Sequence, residues 1–308
     1  MLTYCYRSVR EDKLAKADVF RPGSLILAEG PTPDELKLLE AKFKLDPDLL
    51  TDALDPDEIP RIETDDDMLY VYMRYSYRRG DVVDTDPVLL VVSSNFVALV
   101  SRRPLPGLDR LLGSPTLITT QRAKVLLLLL RSLVLSYESN VNFLDRQIRG
   151  VRAKLSVEKI SNRDFVAFVV IEDSLGSFLS DLVAANVVLQ GLLSGRYGLV
   201  FHEEDKDLVE DLSQATRQLI ESSRSSMQTI VNIREAYSTI MANNLNRIIK
   251  RLTVITIFMS IPTIVSSIYG MNVALPGQHN SGMFWVLGAV VIGAIGLLGW
   301  IFWRENWF

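Results

Sequence analysis

The last third of the chain carries polar side chains at intervals of seven residues, and their oxygen atoms suit the binding of a cation. The first series is Asn232, Thr239, Asn246, Thr253, Ser260 and Ser267. The second begins three residues later and is Glu235, Ala242, Ile249, Thr256, Thr263 and Gly270. A repeat averaging about 3.5 residues keeps one stripe of a helix facing partner helices in a supercoiled bundle. Here that stripe is mostly small and polar.

Two interpretations of this stripe are open on spacing alone. Small residues allow helices to pack closely with hydrogen bonds between them. The same hydroxyl and amide oxygens would instead line a water-filled pore on the axis of a symmetric bundle and face a hydrated cation. Ile249 on the stripe and the neighbouring Leu252 are apolar, and a ring of such side chains closes a pore by dewetting.

Two apolar segments near the C-terminus are long enough to cross a membrane. Leu252–Met271 and Met283–Trp303 contain no Asp, Glu, Lys or Arg. About 20 apolar residues in a helix match a hydrocarbon core about 30 Å thick. Aromatic residues lie at their ends, as in interfacial belts. We therefore predict two transmembrane helices joined by a short loop.

The basic residues predict how these helices are oriented. Arg247, Lys250 and Arg251 precede the first span and Arg304 follows the second, whereas residues 272–282 contain no Lys or Arg. Because basic residues favour the cytoplasmic side, the loop is expected outside and both termini in the cytoplasm. The predicted location is the cell membrane, with lipids as neighbours.

The tetrapeptide Tyr269-Gly270-Met271-Asn272, at the outer end of the first of two C-terminal spans, resembles the CorA metal-ion transporter family, whose signature is Gly-Met-Asn. The N-terminal part resembles the same family through residues 31–36, 49–54 and 60–63. The resemblance covers essentially the whole chain. It implies a homopentamer with a cytoplasmic funnel and a pore lined by the first span, and it favours the pore interpretation.

The resemblance also implies roles for individual residues. Gly270, Met271 and Asn272 would form the selectivity filter. Asp52 and Asp211 would form an acidic pair that meets across a subunit boundary and holds a regulatory Mg²⁺. The implied pore-lining residues are Glu235, Asn246, Ile249, Leu252, Thr253, Thr256, Ser260, Thr263 and Ser267. The implied substrate is Mg²⁺, with Co²⁺ and Ni²⁺ also carried, and Mg²⁺ is thus both transported and regulatory.

The remaining sequence predicts an α/β cytoplasmic domain, long stalk helices and a two-helix transmembrane hairpin. Thr32 and Glu35 have the spacing of a capping box that begins a helix. Residues 78–86 are polar and are predicted to connect two strands as a hairpin loop. The predicted boundaries are an α/β domain at 1–120, long antiparallel helices at 121–200, a stalk helix at 201–251, a pore-lining transmembrane helix at 252–271, an external loop at 272–282, a second transmembrane helix at 283–303 and a cytoplasmic tail at 304–308.

Composition limits the other functions. The net charge of −4 gives no sign of nucleic-acid binding. The acidic residues between Asp52 and Asp67 are expected to form a solvated surface, and no nucleophile motif accompanies them, so no enzymatic activity is predicted. Two alternatives remain: a zinc transporter of the same architecture, which the two histidines and single cysteine do not favour, and a membrane-anchored cytoplasmic sensor.

Overall fold

A computed structural model of the chain describes residues 2–11, 13–17, 19–155, 162–195, 197, 199, 201–277, 280 and 282–305. Of the predicted tail at 304–308, the part beyond Glu305 lies outside the described residues. The chain divides into two compact units, Met1–Val231 and Asn232–Phe308.

The first unit is built on a seven-stranded sheet with the order β2-β1-β3-β7-β6-β5-β4. The strands are β1 (Leu2–Tyr6), β2 (Ala15–Ala17), β3 (Ser24–Glu29), β4 (Arg61–Asp65), β5 (Met68–Arg79), β6 (Val82–Val92) and β7 (Phe96–Ser101). Strands β3 and β7 pair in parallel, and the other neighbours pair antiparallel. The helices of this unit are α1 (Pro33–Phe43), α2 (Pro47–Asp52), α3 (Leu108–Leu112), α4 (Arg122–Leu155) and α5 (Asn162–Leu193).

Helices α1 and α2 pack on one face of the sheet. Leu39 and Phe43 of α1 and Leu50 of α2 belong to the same buried cluster as Tyr70 and Tyr72 of β5. The predicted capping box is confirmed: the Glu35 backbone N–H donates to Thr32 Oγ1 over 3.3 Å, and the Thr32 N–H donates to the Glu35 carboxylate over 2.9 Å. This cap begins α1 at Pro33.

Helix α5 lies on the opposite face of the sheet. Successive side chains of a strand point to opposite faces. On β4, Arg61 points towards α2, where it contacts Asp52, whereas its neighbour Ile62 approaches Gly191 of α5. Helix α4 also contacts β5 and β6, so the helices and the sheet enclose the core of this unit.

The prediction of a polar hairpin loop at residues 78–86 is wrong. Strand β5 continues to Arg79 and β6 begins at Val82, so only two residues form the turn. Gly80 has φ of 60° there, a conformation that glycine adopts without strain. Cross-strand bonds, such as that from the Tyr77 hydroxyl to the Asp84 carboxylate at 3.1 Å, hold the polar residues in the ladder.

Helix α6 (Glu203–Tyr269) is 67 residues long and runs from the first unit into the second, which it forms together with α7 (Met283–Arg304). Both helices contain a stretch long and apolar enough to cross a membrane by length and composition. Pro262 lies inside α6 and has no N–H to donate to the carbonyl one turn earlier.

Candidate functional site: a polar face of α6 and its C-terminal end

The polar stripe lies on an open face of α6 within the chain. Asn246, Thr256, Thr263 and Ser267 are exposed, and Thr253 and Ser260 are half-buried. Glu235, nearer the N-terminus of the second unit, is also exposed. The exposed threonine and serine side chains on the charge-free, membrane-length segment leave polar oxygens for water, a partner helix or an ion.

Helix α7 packs against a different face of α6. Val254 is 2% exposed, and the rings of Phe258 and Phe302 make an edge-to-face contact with centroids 6.0 Å apart. Gly299 of α7 also lies against Phe258. At about 100° per residue, Thr256 lies roughly 160° around the helix from Phe258, the residue that contacts α7. The stripe therefore points away from α7.

The hydroxyl protons of the stripe are engaged within α6. Thr253, Thr256 and Thr263 each donate to the carbonyl four residues earlier, over 2.9, 2.9 and 2.8 Å. Ser260 donates to the Ile257 carbonyl over 2.8 Å. Such bonds satisfy the hydroxyl donor locally. The hydroxyl oxygens then present lone pairs outward, which suits the hydrogens of water molecules around a cation.

The predicted filter residues lie at the C-terminal end of α6. The Gly270 N–H donates to the Ser266 carbonyl over 2.9 Å and the Met271 N–H to the Ile268 carbonyl over 3.3 Å, so the helical turn continues into the motif. A β-carbon on residue 270 would lie 3.0 Å from the Ser266 oxygen, so glycine is the residue that fits without displacement. Asn272 follows in an exposed position.

The predicted hydrophobic constriction residues are both unpacked in the single chain. Ile249 is 52% exposed and Leu252 is 63% exposed. On the helix they flank the polar residues of the stripe, with Leu252 one turn before Thr256. Two large apolar side chains on an otherwise polar face are consistent with a narrow apolar segment in an assembled bundle.

The predicted regulatory pair is not joined within the chain. Asp52, the last residue of α2, is half-buried and makes an ion pair with Arg61, and Asp211 is exposed on α6. Within the described residues, no group of three or more His, Cys, Asp or Glu side chains is arranged to hold a metal ion. The prediction requires the two aspartates to come from neighbouring chains.

The sequence did not indicate the role of Arg61, which contacts the carboxylates of three residues including Asp52. The Arg61 guanidinium contacts Asp52 over 2.9 Å, Glu63 over 2.5 Å and Glu58. It also stacks on the Tyr72 ring, with its central carbon 4.0 Å from the centroid. The only signal in the sequence is a lone basic residue in an acidic stretch.

A second arginine fixes the loop that follows Asp52. Arg74 donates to the carbonyl oxygens of Pro56 and Glu58 over 2.8 and 2.7 Å, and it pairs with the Asp181 carboxylate over 3.2 Å. The Tyr137 hydroxyl donates to the same carboxylate over 3.1 Å. Burial raises the pKa of Asp181, against the opposing effect of Arg74. This network connects β5, α4, α5 and the acidic loop.

Comparison with known families identifies the family of the chain. The family model for the CorA-like Mg²⁺ transporter protein matches residues 26–304, which include strands β4 to β7 and all seven helices. The chain belongs to this family. The resemblance inferred from Gly270-Met271-Asn272 and from the N-terminal segments is thereby confirmed.

Relatives of the CorA family cover nearly the full chain. The cobalt/magnesium transport protein CorA of Methanocaldococcus jannaschii is 25% identical over 288 residues, which are 90% of this chain and 89% of that protein. The complete structure of the CorA magnesium transporter from the same organism superimposes with a TM-score of 0.87 at 24% identity, covering 100% of this chain and 99% of that one. The match confirms the predicted fold class for the single chain.

The zinc alternative has weaker structural support. The cytoplasmic domain of ZntB from Vibrio parahaemolyticus superimposes with a TM-score of 0.61 at 10% identity over 79% of this chain. This likeness concerns the fold alone. The family to which the chain belongs is one of transporters.

Proposed function

We propose that the protein is a homopentameric, channel-like pathway for divalent cation uptake across the cytoplasmic membrane, with Mg²⁺ as the main substrate and Co²⁺ and Ni²⁺ as further substrates. Helix α6 lines the pathway in this proposal, and α7 lies outside it. Family membership and the CorA relatives support the substrate class.

The observation that carries the proposal is the polar face of α6 opposite α7. A helix that served only as an anchor would gain nothing from Thr256, Thr263 and Ser267 on its exposed side, because polar groups at membrane depth require partners or water. Around the axis of a bundle, this face would enclose water. The inwardly bonded hydroxyls would then present oxygen lone pairs to the hydration shell of a cation.

A hydrated pathway suits Mg²⁺. This ion gives up its water reluctantly and usually retains several water molecules when it binds to proteins. Asn272 at the outer end would hold the hydrated ion through those waters, while Gly270 and Met271 position it. The apolar residues Ile249 and Leu252 would close the pathway by dewetting at its cytoplasmic end.

The membrane potential supplies the driving force in this proposal. With both termini in the cytoplasm and residues 272–282 outside, the cation enters towards the negative side. About 2.3 kcal/mol per elementary charge per 100 mV gives roughly 4.6 kcal/mol for a divalent ion.

Inhibition by cytoplasmic Mg²⁺ would act through Asp52 and Asp211 of neighbouring chains. Two carboxylates held close together repel unless a cation lies between them, so an ion at this boundary stabilises the closed assembly. Carboxylate oxygens are ligands that Mg²⁺ prefers. Loss of the ion would loosen the assembly and allow the pathway to open.

The double replacement Asp52→Ala and Asp211→Ala is expected to weaken inhibition by internal Mg²⁺. The expected half-inhibitory Mg²⁺ concentration rises at least tenfold, because no carboxylate remains at the proposed boundary to bind the ion. The measurement is Mg²⁺ influx into proteoliposomes loaded with graded Mg²⁺. The matched control is Asp207→Ala, which removes an exposed carboxylate one turn earlier on α6. Unchanged inhibition in the double variant contradicts the assignment.

The proposed function is tested by cation influx into proteoliposomes that hold a fluorescent indicator. Mg²⁺ influx that Co²⁺ and Ni²⁺ reduce by competition supports the proposal. Influx of Zn²⁺ without influx of Mg²⁺ would support the zinc alternative. No influx of any divalent ion from correctly assembled protein would support the sensor alternative.

A further inference from the structure

We infer that Arg61 competes with the regulatory cation for Asp52 and thereby sets the Mg²⁺ concentration at which transport is inhibited. The inference rests on the regulatory role proposed above for Asp52. In the absence of the ion, the guanidinium of the same chain would neutralise this carboxylate. When the ion binds, Asp52 would exchange one cationic partner for another.

The contacts of Arg61 make it an internal counter-ion. Its three nitrogens contact three different carboxylates: Nη2 contacts Asp52 over 2.9 Å, Nε contacts Glu63 over 2.5 Å, and Nη1 contacts Glu58. One positive charge therefore faces three negative charges. The excess negative charge attracts a further cation, but the guanidinium repels that cation from Asp52.

Arg61 is held in this position by the sheet. It is the register partner of Tyr72 on the neighbouring strand, and it stacks on that ring at 4.0 Å. The Tyr72 hydroxyl in turn donates to the Leu49 carbonyl of α2 over 2.7 Å. Helix α2, which ends at Asp52, and the stacked guanidinium are thus fixed to the same tyrosine, and the Arg61–Asp52 contact is built into the fold.

Asp52 remains accessible to a second cation. Its side chain is 46% exposed, compared with 28% for Arg61. It is also the last residue of α2, where the partial negative charge of a helix end disfavours a carboxylate and favours a positive partner. A guanidinium stays protonated at every physiological pH, so the rival cation is always present.

The test compares Arg61→Gln with the wild-type chain in the proteoliposome assay with graded internal Mg²⁺. The expected half-inhibitory Mg²⁺ concentration falls roughly three- to tenfold, because a partly exposed rival charge is removed beside the site. Arg61→Lys keeps the charge but loses the forked guanidinium that reaches three carboxylates. Its half-inhibitory concentration is therefore expected to lie between those of the wild type and Arg61→Gln. Arg110→Gln removes the same charge from an exposed position on α3 and is expected to leave the value unchanged.

An unchanged or raised half-inhibitory concentration in Arg61→Gln overturns the inference, because a residue that merely positioned Asp52 would weaken Mg²⁺ binding when removed. If Arg61→Gln fails to assemble, as judged by size-exclusion chromatography, Arg61→Lys replaces it in the test. A half-inhibitory concentration of Arg61→Lys that is not below that of the wild type then overturns the inference. Asp52→Ala, measured in parallel, separates the two proposals. If it raises the half-inhibitory concentration and Arg61→Gln does not lower it, only the competition is wrong; if it has no effect, the regulatory role of Asp52 and the competition both fall.

Discussion

Replacement of Asn272 by alanine is expected to abolish Mg²⁺ uptake while leaving the assembly intact. In the proposed pentamer the substitution removes five amides that hold the hydrated ion. At about 0.5–1.5 kcal/mol for each hydrogen bond, their loss costs roughly 3–7 kcal/mol. Since about 1.4 kcal/mol corresponds to a factor of ten, influx is expected to fall by about 100-fold or more. Size-exclusion chromatography of the same preparation checks the assembly.

The matched control for this variant is Asn280→Ala in the same loop. The Asn280 side chain accepts the Gly282 N–H over 3.0 Å, so its amide is engaged in its own turn. Uptake is expected to persist in this variant. Wild-type influx in Asn272→Ala, from protein that assembles normally, would refute the selectivity role of Asn272.

Replacement of Asp181 by alanine is expected to destabilise the first unit by about 3–5 kcal/mol, because it leaves the charge of Arg74 buried without its carboxylate. The Arg74 and Asp181 side chains are each only 11% exposed, so water does not compensate for the loss. The melting temperature of the full chain in detergent is expected to fall on the order of 10 °C. The loop held through the Pro56 and Glu58 carbonyls would loosen at the same time.

The double variant Arg74→Met with Asp181→Leu is the control for this effect. Replacing a buried ion pair by apolar residues of similar volume is often neutral, whereas breaking one side is costly. The double variant leaves no unpaired charge but loses the bonds from Arg74 to the Pro56 and Glu58 carbonyls, so it is expected to melt below the wild type and above Asp181→Ala. A melting temperature of Asp181→Ala equal to that of the wild type would show that the ion pair does not stabilise the unit.

The parts of the fold that follow local rules were predictable from sequence. The capping box at Thr32 and Glu35 begins α1 as expected, and the charge-free segments before Met271 and after Gly282 lie in the helices that meet the length and composition of membrane spans. The loop between β5 and β6 was predicted too long, because the polar residues of 78–86 pair between the two strands instead of forming a loop. Composition alone does not distinguish a polar loop from polar residues that pair between strands.

The parts that depend on contacts distant in sequence were not predictable. Arg74 stands alone among buried strand residues, which is a signal for a buried charged partner, but nothing in the sequence identifies Asp181, 107 residues away. The position of Arg61 between Asp52, Glu58 and Glu63 requires the register of β4 with β5. Likewise, the direction of the polar stripe is known only once Phe258 is placed against Phe302.

The most direct test of the account asks whether the polar face of α6 lines a water-filled pathway for Mg²⁺. Ser266 and Ser267 are both exposed near the C-terminal end of α6 and point about 100° apart, with Ser267 on the stripe. Each is replaced by cysteine in a Cys5→Ala background and treated with a positively charged, water-soluble thiol reagent during Mg²⁺ influx. If the polar face lines the pathway, the reagent is expected to block influx through Ser267→Cys and to leave Ser266→Cys unaffected. Equal effects at the two positions, or no Mg²⁺ influx before the reagent is added, would contradict it.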